Sequence, residues 1–80
     1  MGKIWLVVAE FDDCDISLQP FASEKKARNI ARIYVGNFDR MWVDNWAIHK
    51  CSKDQFCGVR VVEFVNGIRQ SQTRWFSVAD

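Results

Sequence analysis

The chain has little of several features that small proteins use to build a specialised site. It contains one proline, four glycines, three cysteines and one histidine in 80 residues. So few prolines and glycines argue against a disordered segment or a linker, and the scattered glycines form no phosphate-binding loop. An odd number of cysteines is atypical of a secreted disulfide framework. We therefore expect a single compact domain over residues 1–80 with reduced thiols.

The chain also lacks a strong excess of positive or negative charge, and it has no long apolar run. Eleven basic and ten acidic residues leave a net charge of +1, whereas general nucleic-acid binders usually show a strong basic excess. The apolar run near the N-terminus covers residues 4–9, which is too short for a signal-peptide core or a membrane span. We therefore expect a cytoplasmic protein (in the host-cell cytoplasm if the protein is viral) with no membrane partner.

Catalytic signatures are missing. The sequence contains no Gly-x-Ser-x-Gly and no His-Glu-x-x-His pattern, and a single histidine without an oxyanion-loop signature gives weak support to a Cys–His nucleophile pair. Asp12, Asp13 and Asp15 form an acidic turn, but no glycine-bearing calcium loop or distal bidentate glutamate completes a cation site. We therefore predict that the protein is not an enzyme and needs no cofactor.

The sulfur and imidazole groups are of the kinds that bind zinc. His49 and Cys51 have the spacing His-x-Cys, and Cys51 and Cys57 have the spacing Cys-x5-Cys. Structural zinc sites usually use tight Cys-x2–4-Cys knuckles instead. Ordinary buried thiols are favoured over a zinc site or a disulfide between Cys51 and Cys57, and no metal is assigned. The four side chains are Cys14, His49, Cys51 and Cys57.

Hydrophobic residues make up 49% of the chain, and four of them are tryptophans. Such a composition supplies an efficient core, and any exposed tryptophan is a natural binding anchor. The strongest local signal is Asn66-Gly67, a pair that readily accepts positive φ at both central positions of a type I′ turn. The pair predicts a hairpin in which Val65 lies opposite Ile68.

Apolar patterning predicts strands near both ends of the chain. Residues 4–11 are apolar on both alternating faces, which is typical of a strand that is covered on both sides and central in its sheet. Residues 16–18 are expected to form a short return strand that ends at Pro20, because proline lacks the N–H group that a ladder needs. Residues 59–65 and 68–76 form the final hairpin.

One amphipathic helix is expected at about residues 24–35. Ser23 is a typical N-cap, Glu24 favours the helix dipole, and Gly36 is a plausible stop. A strand is predicted at residues 41–51. The fold class is then α+β, with an antiparallel sheet of four to five strands, one helix packed on one face and the order β-β-α-β-β-β. The apolar face of the helix comprises Ala27, Ile30, Ala31 and Tyr34.

Basic residues define the candidate partner-binding surface. Lys25, Arg28 and Arg32 lie at i, i+3 and i+7 along the predicted helix, with Lys26 beside them. The last strand adds Arg74, which precedes Trp75, and Arg69, which is expected to share a strand face with Trp75. This arrangement is suited to carboxylates or a phosphate-binding groove. The alternative is an ordinary solvated helix face, with Trp75 in the core. The candidate residues are Lys25, Lys26, Arg28, Arg32, Arg69 and Arg74.

Residues 23–31 have the form Ser-x3-Ala-basic-x-Ile-Ala, and residues 63–68 are followed by Arg74-Trp75. Together these two segments resemble the ninth family of phage-encoded type I-F anti-CRISPR proteins. The resemblance implies a compact protein without catalytic activity that binds the backbone subunits of the Cas surveillance complex and blocks target-DNA pairing. The family's contact residues would correspond here to Lys26, Arg28 and Arg74. The middle of this chain, residues 35–57, is longer than in that family.

The leading hypothesis is therefore a small, non-enzymatic inhibitor, encoded by a phage, that binds a bacterial defence complex and occupies a nucleic-acid-binding surface. One alternative is direct nucleic-acid binding through aromatic and arginine side chains of the sheet, which the near-neutral charge disfavours. Another is a regulatory homodimer that forms when an exposed edge at residues 59–65 pairs with its twin.

Overall fold

The computed structural model describes residues 2–77, apart from the side chains of residues 71–75. Two antiparallel hairpins flank a helical middle segment in this range. In chain order the elements are β1 (Lys3–Phe11), β2 (Cys14–Phe21), α1 (Glu24–Gly36), α2 (Phe38–Asp44), a 3-10 turn (Trp46–Lys50), a second 3-10 turn (Lys53–Gln55), β3 (Phe56–Val65) and β4 (Ile68–Ser77).

The strands form an antiparallel sheet with the order β2-β1-β3-β4. β1 is central, as predicted, but the cover predicted on both of its faces is incomplete, because Ile4 is 40% exposed. Asn66 has φ 53° and Gly67 has φ 81°, so both central positions of the β3–β4 turn adopt the positive φ that a type I′ turn requires. Val65 pairs with Ile68 in consequence, and the predicted hairpin register is confirmed.

The core lies between one face of the sheet and α1. Val7, Ala9 and Val61 are fully buried on the strands, and Ala31 and Tyr34 are fully buried on the helix. α1 begins where predicted, because the Ser23 side chain accepts a hydrogen bond of 3.3 Å from the backbone N–H of Lys26. Capping of this kind satisfies one of the orphan donors at a helix start.

The prediction of a strand at residues 41–51 is wrong. This segment forms the end of α2 and the first 3-10 turn. Asn37 caps α2 by accepting the backbone N–H of Arg40 at 3.1 Å, and Asn45 terminates it with a side-chain hydrogen bond of 3.1 Å to the carbonyl of Met41. Within residues 2–77 the α+β class is therefore confirmed with a four-stranded sheet. The order is β-β-α-α-β-β, with two α-helices instead of one.

Two expectations about strand ends are corrected as well. β2 continues through Pro20 to Phe21, because β2 is an edge strand of the described sheet and a proline there need not donate to a second neighbour. Residues 59–65 do not form an exposed edge. They belong to β3, which is hydrogen-bonded to β1 on one side and to β4 on the other. Strand addition at this segment is therefore excluded as a route to a homodimer.

Candidate interaction surface

α1 presents a basic surface on the side of the sheet that carries the helices. Lys25, Arg28, Asn29 and Arg32, together with Glu24, line a shallow recess, and we call these five residues the α1 stripe. Arg28 and Glu24 approach to 3.9 Å as an exposed i,i+4 pair. A pair of this kind contributes little to stability. The α1 stripe keeps a surplus of two positive charges, because three basic groups face one carboxylate.

The Arg32 side chain contacts β4, an edge strand of the described sheet. Its guanidinium carbon lies 5.9 Å from the centre of the Phe76 ring, within the range of a cation–π interaction. The contact restricts an otherwise long and mobile side chain. The α1 stripe therefore extends from the start of the helix to the β4 edge of the sheet.

The structure brings together only part of the predicted contact set. Lys25, Arg28 and Arg32 share the α1 stripe. Lys26 is exposed on the same helix but lies outside that recess. The backbone of Arg74 pairs with Val61, and the Arg74 side chain lies outside the described residues, as does that of Trp75.

Arg69 lies on the other face of the sheet. It pairs with Phe64, which in turn pairs with Ile4, and it lines a concavity there of about 210 Å³ together with Leu6 and Val62. The sheet thus separates Arg69 from the α1 stripe, and one flat partner surface cannot contact both.

Sequence reasoning missed Arg60, which lies in the same concavity as Arg69. Its guanidinium forms a salt bridge with Asp15 of β2, and its Nε is buried with no hydrogen-bond partner among the described residues. A signal was available, because Arg60 interrupts the apolar run of β3 between Val59 and Val61. A charged residue in a central strand needs a partner, and strand pairing supplies Asp15.

A polar network joins the sheet to α2 beneath the helix. Gln19 Nε2 donates to the Tyr34 hydroxyl at 2.9 Å and to Asn45 Oδ1 at 3.1 Å. The hydroxyl of Tyr34 donates to Asp44 Oδ2 at 3.0 Å. Burial, followed by the carboxylate of Asp44, raises the pKa of Tyr34. A neutral, fully bonded phenol in this position stabilises the packing of α2 against β2.

The sulfur and imidazole groups do not converge on one point. Cys14 Sγ and Cys51 Sγ lie 3.8 Å apart, so Cys51 faces Cys14 and not Cys57. Cys57 donates to Asp12 Oδ1 at 3.1 Å, and this hydrogen bond, with partial burial, raises the pKa of Cys57. His49 stacks on Trp42 with ring centres 4.0 Å apart and donates from Nε2 to the carbonyl of Trp42. Among the described side chains, no group of three or more His, Cys, Asp or Glu is arranged to hold a metal ion.

In residues 2–77 no helix combines the length and the apolar character needed to cross a bilayer. No protein-family description, curated protein or solved structure matches the chain to a significant degree. The resemblance of residues 23–31 and 63–68 to anti-CRISPR proteins therefore stays a prediction.

Proposed function

We propose that the protein is a small non-enzymatic inhibitor that uses the α1 stripe to bind an acidic or phosphate-lined surface of a bacterial nucleic-acid-binding complex. The observation that carries the proposal is the grouping of Lys25, Arg28 and Arg32 in one recess on a helix whose opposite face is fully buried. Charge-assisted hydrogen bonds from such groups to carboxylates or phosphates are the strong ones in protein interfaces.

Rigidity supports this function. Ala27, Ala31 and Tyr34 have no exposed surface, so α1 is fixed against the sheet. Arg32 is further restrained by its contact with Phe76. A partner that binds these side chains has less conformational entropy to remove, and pre-organisation of this kind increases affinity.

The charge distribution favours a specific partner over bulk nucleic acid. α1 carries four basic residues and one acidic residue, a net charge of +3, while the whole chain has a net charge of +1. The remainder of the chain therefore has a net charge of −2. Long-range attraction to a polyanion is weak under these conditions. The positive potential is local to α1, which suits a shaped acidic groove on another protein.

The proposed target is the surveillance complex of a type I-F CRISPR system. This part of the proposal relies on the resemblance of residues 23–31 and 63–68, with Lys26, Arg28 and Arg74 at the matching positions. A phage-encoded protein that occupies the DNA-binding surface of that complex would protect phage DNA without any catalytic step.

The test compares binding of the wild-type protein and two charge-reversal variants to a purified type I-F surveillance complex. Arg28→Glu/Arg32→Glu places like charges against an acidic surface, and we expect it to weaken binding at least about 100-fold. Lys50→Glu/Lys53→Glu changes the net charge by the same amount outside α1 and should bind like the wild type. Circular dichroism verifies that each variant is folded.

Equal binding by the wild-type protein and the α1 variant would overturn the assignment of the α1 stripe. If the wild-type protein does not bind the complex at all, the target is wrong, and the tagged protein is used to capture partners from bacterial lysate with and without nuclease. Retention of a different protein complex after nuclease treatment supports the binding function with another target. Retention that needs intact nucleic acid would support direct nucleic-acid binding instead.

A further inference from the structure

Two thiols that are distant in the sequence meet beside the β1–β2 turn. Cys14 is the first residue of β2 and pairs with Phe11 across that turn. Cys51 directly follows the first 3-10 turn, and the two sulfur atoms lie 3.8 Å apart, in hydrogen-bonding contact. Cys14 is exposed and Cys51 is half-buried, so a small solute can reach the sulfur atoms. We call Cys14 and Cys51 the thiol pair.

Regular structure fixes the backbone on both sides of the thiol pair. Cys14 belongs to the antiparallel ladder between β1 and β2. The backbone N–H of Cys51 donates to the carbonyl of Ile48 at 2.9 Å, and the side chain of Ile48 is fully buried. The two cysteines are therefore held opposite each other, and only their side-chain torsions remain free. The fold supplies a preformed set of two sulfur donors.

The type and number of donors select the ion. Thiolates are soft ligands that favour Cu(I), zinc and iron–sulfur clusters, whereas oxygen ligands suit Mg²⁺ and Ca²⁺. Structural zinc takes four ligands, and among the described side chains no group of three or more His, Cys, Asp or Glu is placed to hold a metal ion. Cu(I), by contrast, is satisfied by two sulfur ligands on opposite sides of the ion. The thiol pair therefore suits Cu(I) and leaves zinc short of ligands.

The separation of the sulfur atoms suits a linear S–Cu–S unit. Two metal–thiolate bonds of about 2.3 Å in line place the sulfur atoms about 4.5 Å apart. A disulfide bond instead requires about 2 Å between them. The observed separation of 3.8 Å is nearer to the first value, so binding an ion requires the smaller movement of the two. Rotation of the exposed Cys14 side chain is enough to supply it.

The charge beside the thiol pair favours a cation. Loss of solvent, the contact with Cys51 and the carboxylate of Asp13 together raise the pKa of Cys14 from 9.0 to about 11. A carboxylate that disfavours a free thiolate attracts a cation to the same position. Cu⁺ and two thiols give a Cu(I) bis-thiolate and two protons, with no change in oxidation state. The ion neutralises one of the two thiolate charges, which reduces their repulsion from Asp13.

We propose that Cys14 and Cys51 form a two-coordinate binding site for Cu(I). The bound ion links the start of β2 to the end of the first 3-10 turn, so it should stabilise the folded protein as the concentration of free Cu(I) rises. Cys57 takes no part, because its sulfur donates to Asp12. The inference does not depend on the proposed function, because no residue of α1 is involved.

The experiment measures the transfer of Cu(I) from its coloured bicinchoninate complex to the reduced protein under nitrogen. The wild-type protein should remove one ion per chain, and native mass spectrometry should detect a monomer that carries one copper. Cys57→Ser keeps the thiol pair and should bind like the wild type. Cys14→Ser has the same number of thiols but lacks the pair. It should bind more than about 100-fold more weakly, because losing a ligand exceeds the effect of losing a ligand's hydrogen-bond partner.

Two further measurements separate a preformed site from ordinary thiol reactivity. X-ray absorption at the copper edge should show two sulfur neighbours in the wild-type complex. Circular dichroism verifies that each variant is folded, and unfolding in urea should weaken binding by the wild type because it separates the thiol pair. Equal binding by Cys14→Ser and Cys57→Ser would overturn the site, since any two thiols would then suffice. Failure of the wild-type protein to remove Cu(I), or copper found only between two chains, would overturn it as well.

Discussion

Cys14 and Cys51 are separated by 37 positions in the chain, and their sulfur atoms lie 3.8 Å apart. Cys14 begins β2, and Cys51 directly follows the first 3-10 turn. Both thiols are free. The contact joins the start of β2 to residues 46–51, for which the sequence predicted a strand.

Oxidised glutathione should convert this pair into an intramolecular disulfide. The two thiols lose two hydrogen atoms, which reduce one glutathione disulfide to two glutathione thiols. A bridge that closes a loop of this length should raise the free energy of unfolding by about 2–4 kcal/mol, because it restricts the unfolded chain. Peptide mapping by mass spectrometry should find Cys14 linked to Cys51 and Cys57 free.

Cys57→Ser should leave the Cys14–Cys51 bridge intact, and Cys14→Ser should prevent it. The reaction should also depend on pH. Loss of solvent around the Cys14 thiol, with the contact to Cys51, raises the pKa of Cys14 from 9.0 to about 11. The reactive thiolate of Cys14 is therefore scarce at neutral pH, and its alkylation by iodoacetamide should be slower in the folded than in the unfolded protein. Formation of a Cys51–Cys57 bridge would contradict the observed pairing.

Tyr34→Phe tests the polar network between β2 and α2. The change removes one hydroxyl from a fully buried position and leaves the Gln19 amide and the Asp44 carboxylate each without one partner. We expect a loss of about 1–2 kcal/mol in the free energy of unfolding, measured by urea denaturation. A double-mutant cycle with Asp44→Ala should show coupling above about 0.5 kcal/mol. Strict additivity would mean that the Tyr34–Asp44 hydrogen bond contributes nothing.

Gly67→Ala tests the type I′ turn, with Gly36→Ala as its matched control. An added methyl group meets no atom within 4 Å at either position, so packing cannot explain any difference between them. Gly67 has φ 81°, where alanine is strained by about 1–2 kcal/mol. Gly36 is helical, and alanine there should stabilise the protein by up to about 1 kcal/mol. The melting temperature should fall for Gly67→Ala and rise for Gly36→Ala. Equal shifts for the two variants would be inconsistent with a type I′ turn that has positive φ at Gly67.

Ile48→Ala and Trp46→Ala together test the helical structure of residues 41–51. Ile48 is fully buried and Trp46 is 81% exposed. Truncation of Ile48 should cost about 2–5 kcal/mol, whereas truncation of Trp46 should change the free energy of unfolding by less than about 0.5 kcal/mol. On a strand the two side chains would share a face. Similar losses in the free energy of unfolding for both variants would therefore favour a strand at residues 41–51.

Local patterns were sufficient for the elements that local interactions control. Asn66-Gly67 predicted the β3–β4 turn and its register, because few other residue pairs accept positive φ twice in succession. Ser23 and the spacing of Ala27, Ala31 and Tyr34 predicted α1 and its buried face. The double apolar alternation of β1 predicted its central place in the sheet. For the turn and for α1, the deciding interactions span only a few residues.

The remaining features depended on contacts that are distant in sequence. Residues 41–51 contain enough aromatic and branched residues to suggest a strand, but the caps at Asn37 and Asn45 and the burial of Ile48 in the core favour helical turns. The pairing of Cys14 with Cys51 follows from the same packing.

The composition and order of residues in this sequence determined its α+β class, its final hairpin, its first helix and the basic character of that helix, because each depends on backbone conformation or periodicity within a few residues. Only the tertiary structure decided that Arg69 lies across the sheet from the α1 stripe and that Arg60 meets Asp15. Those outcomes depend on strand order and on which face of the sheet the helices cover, and no short-range interaction specifies either.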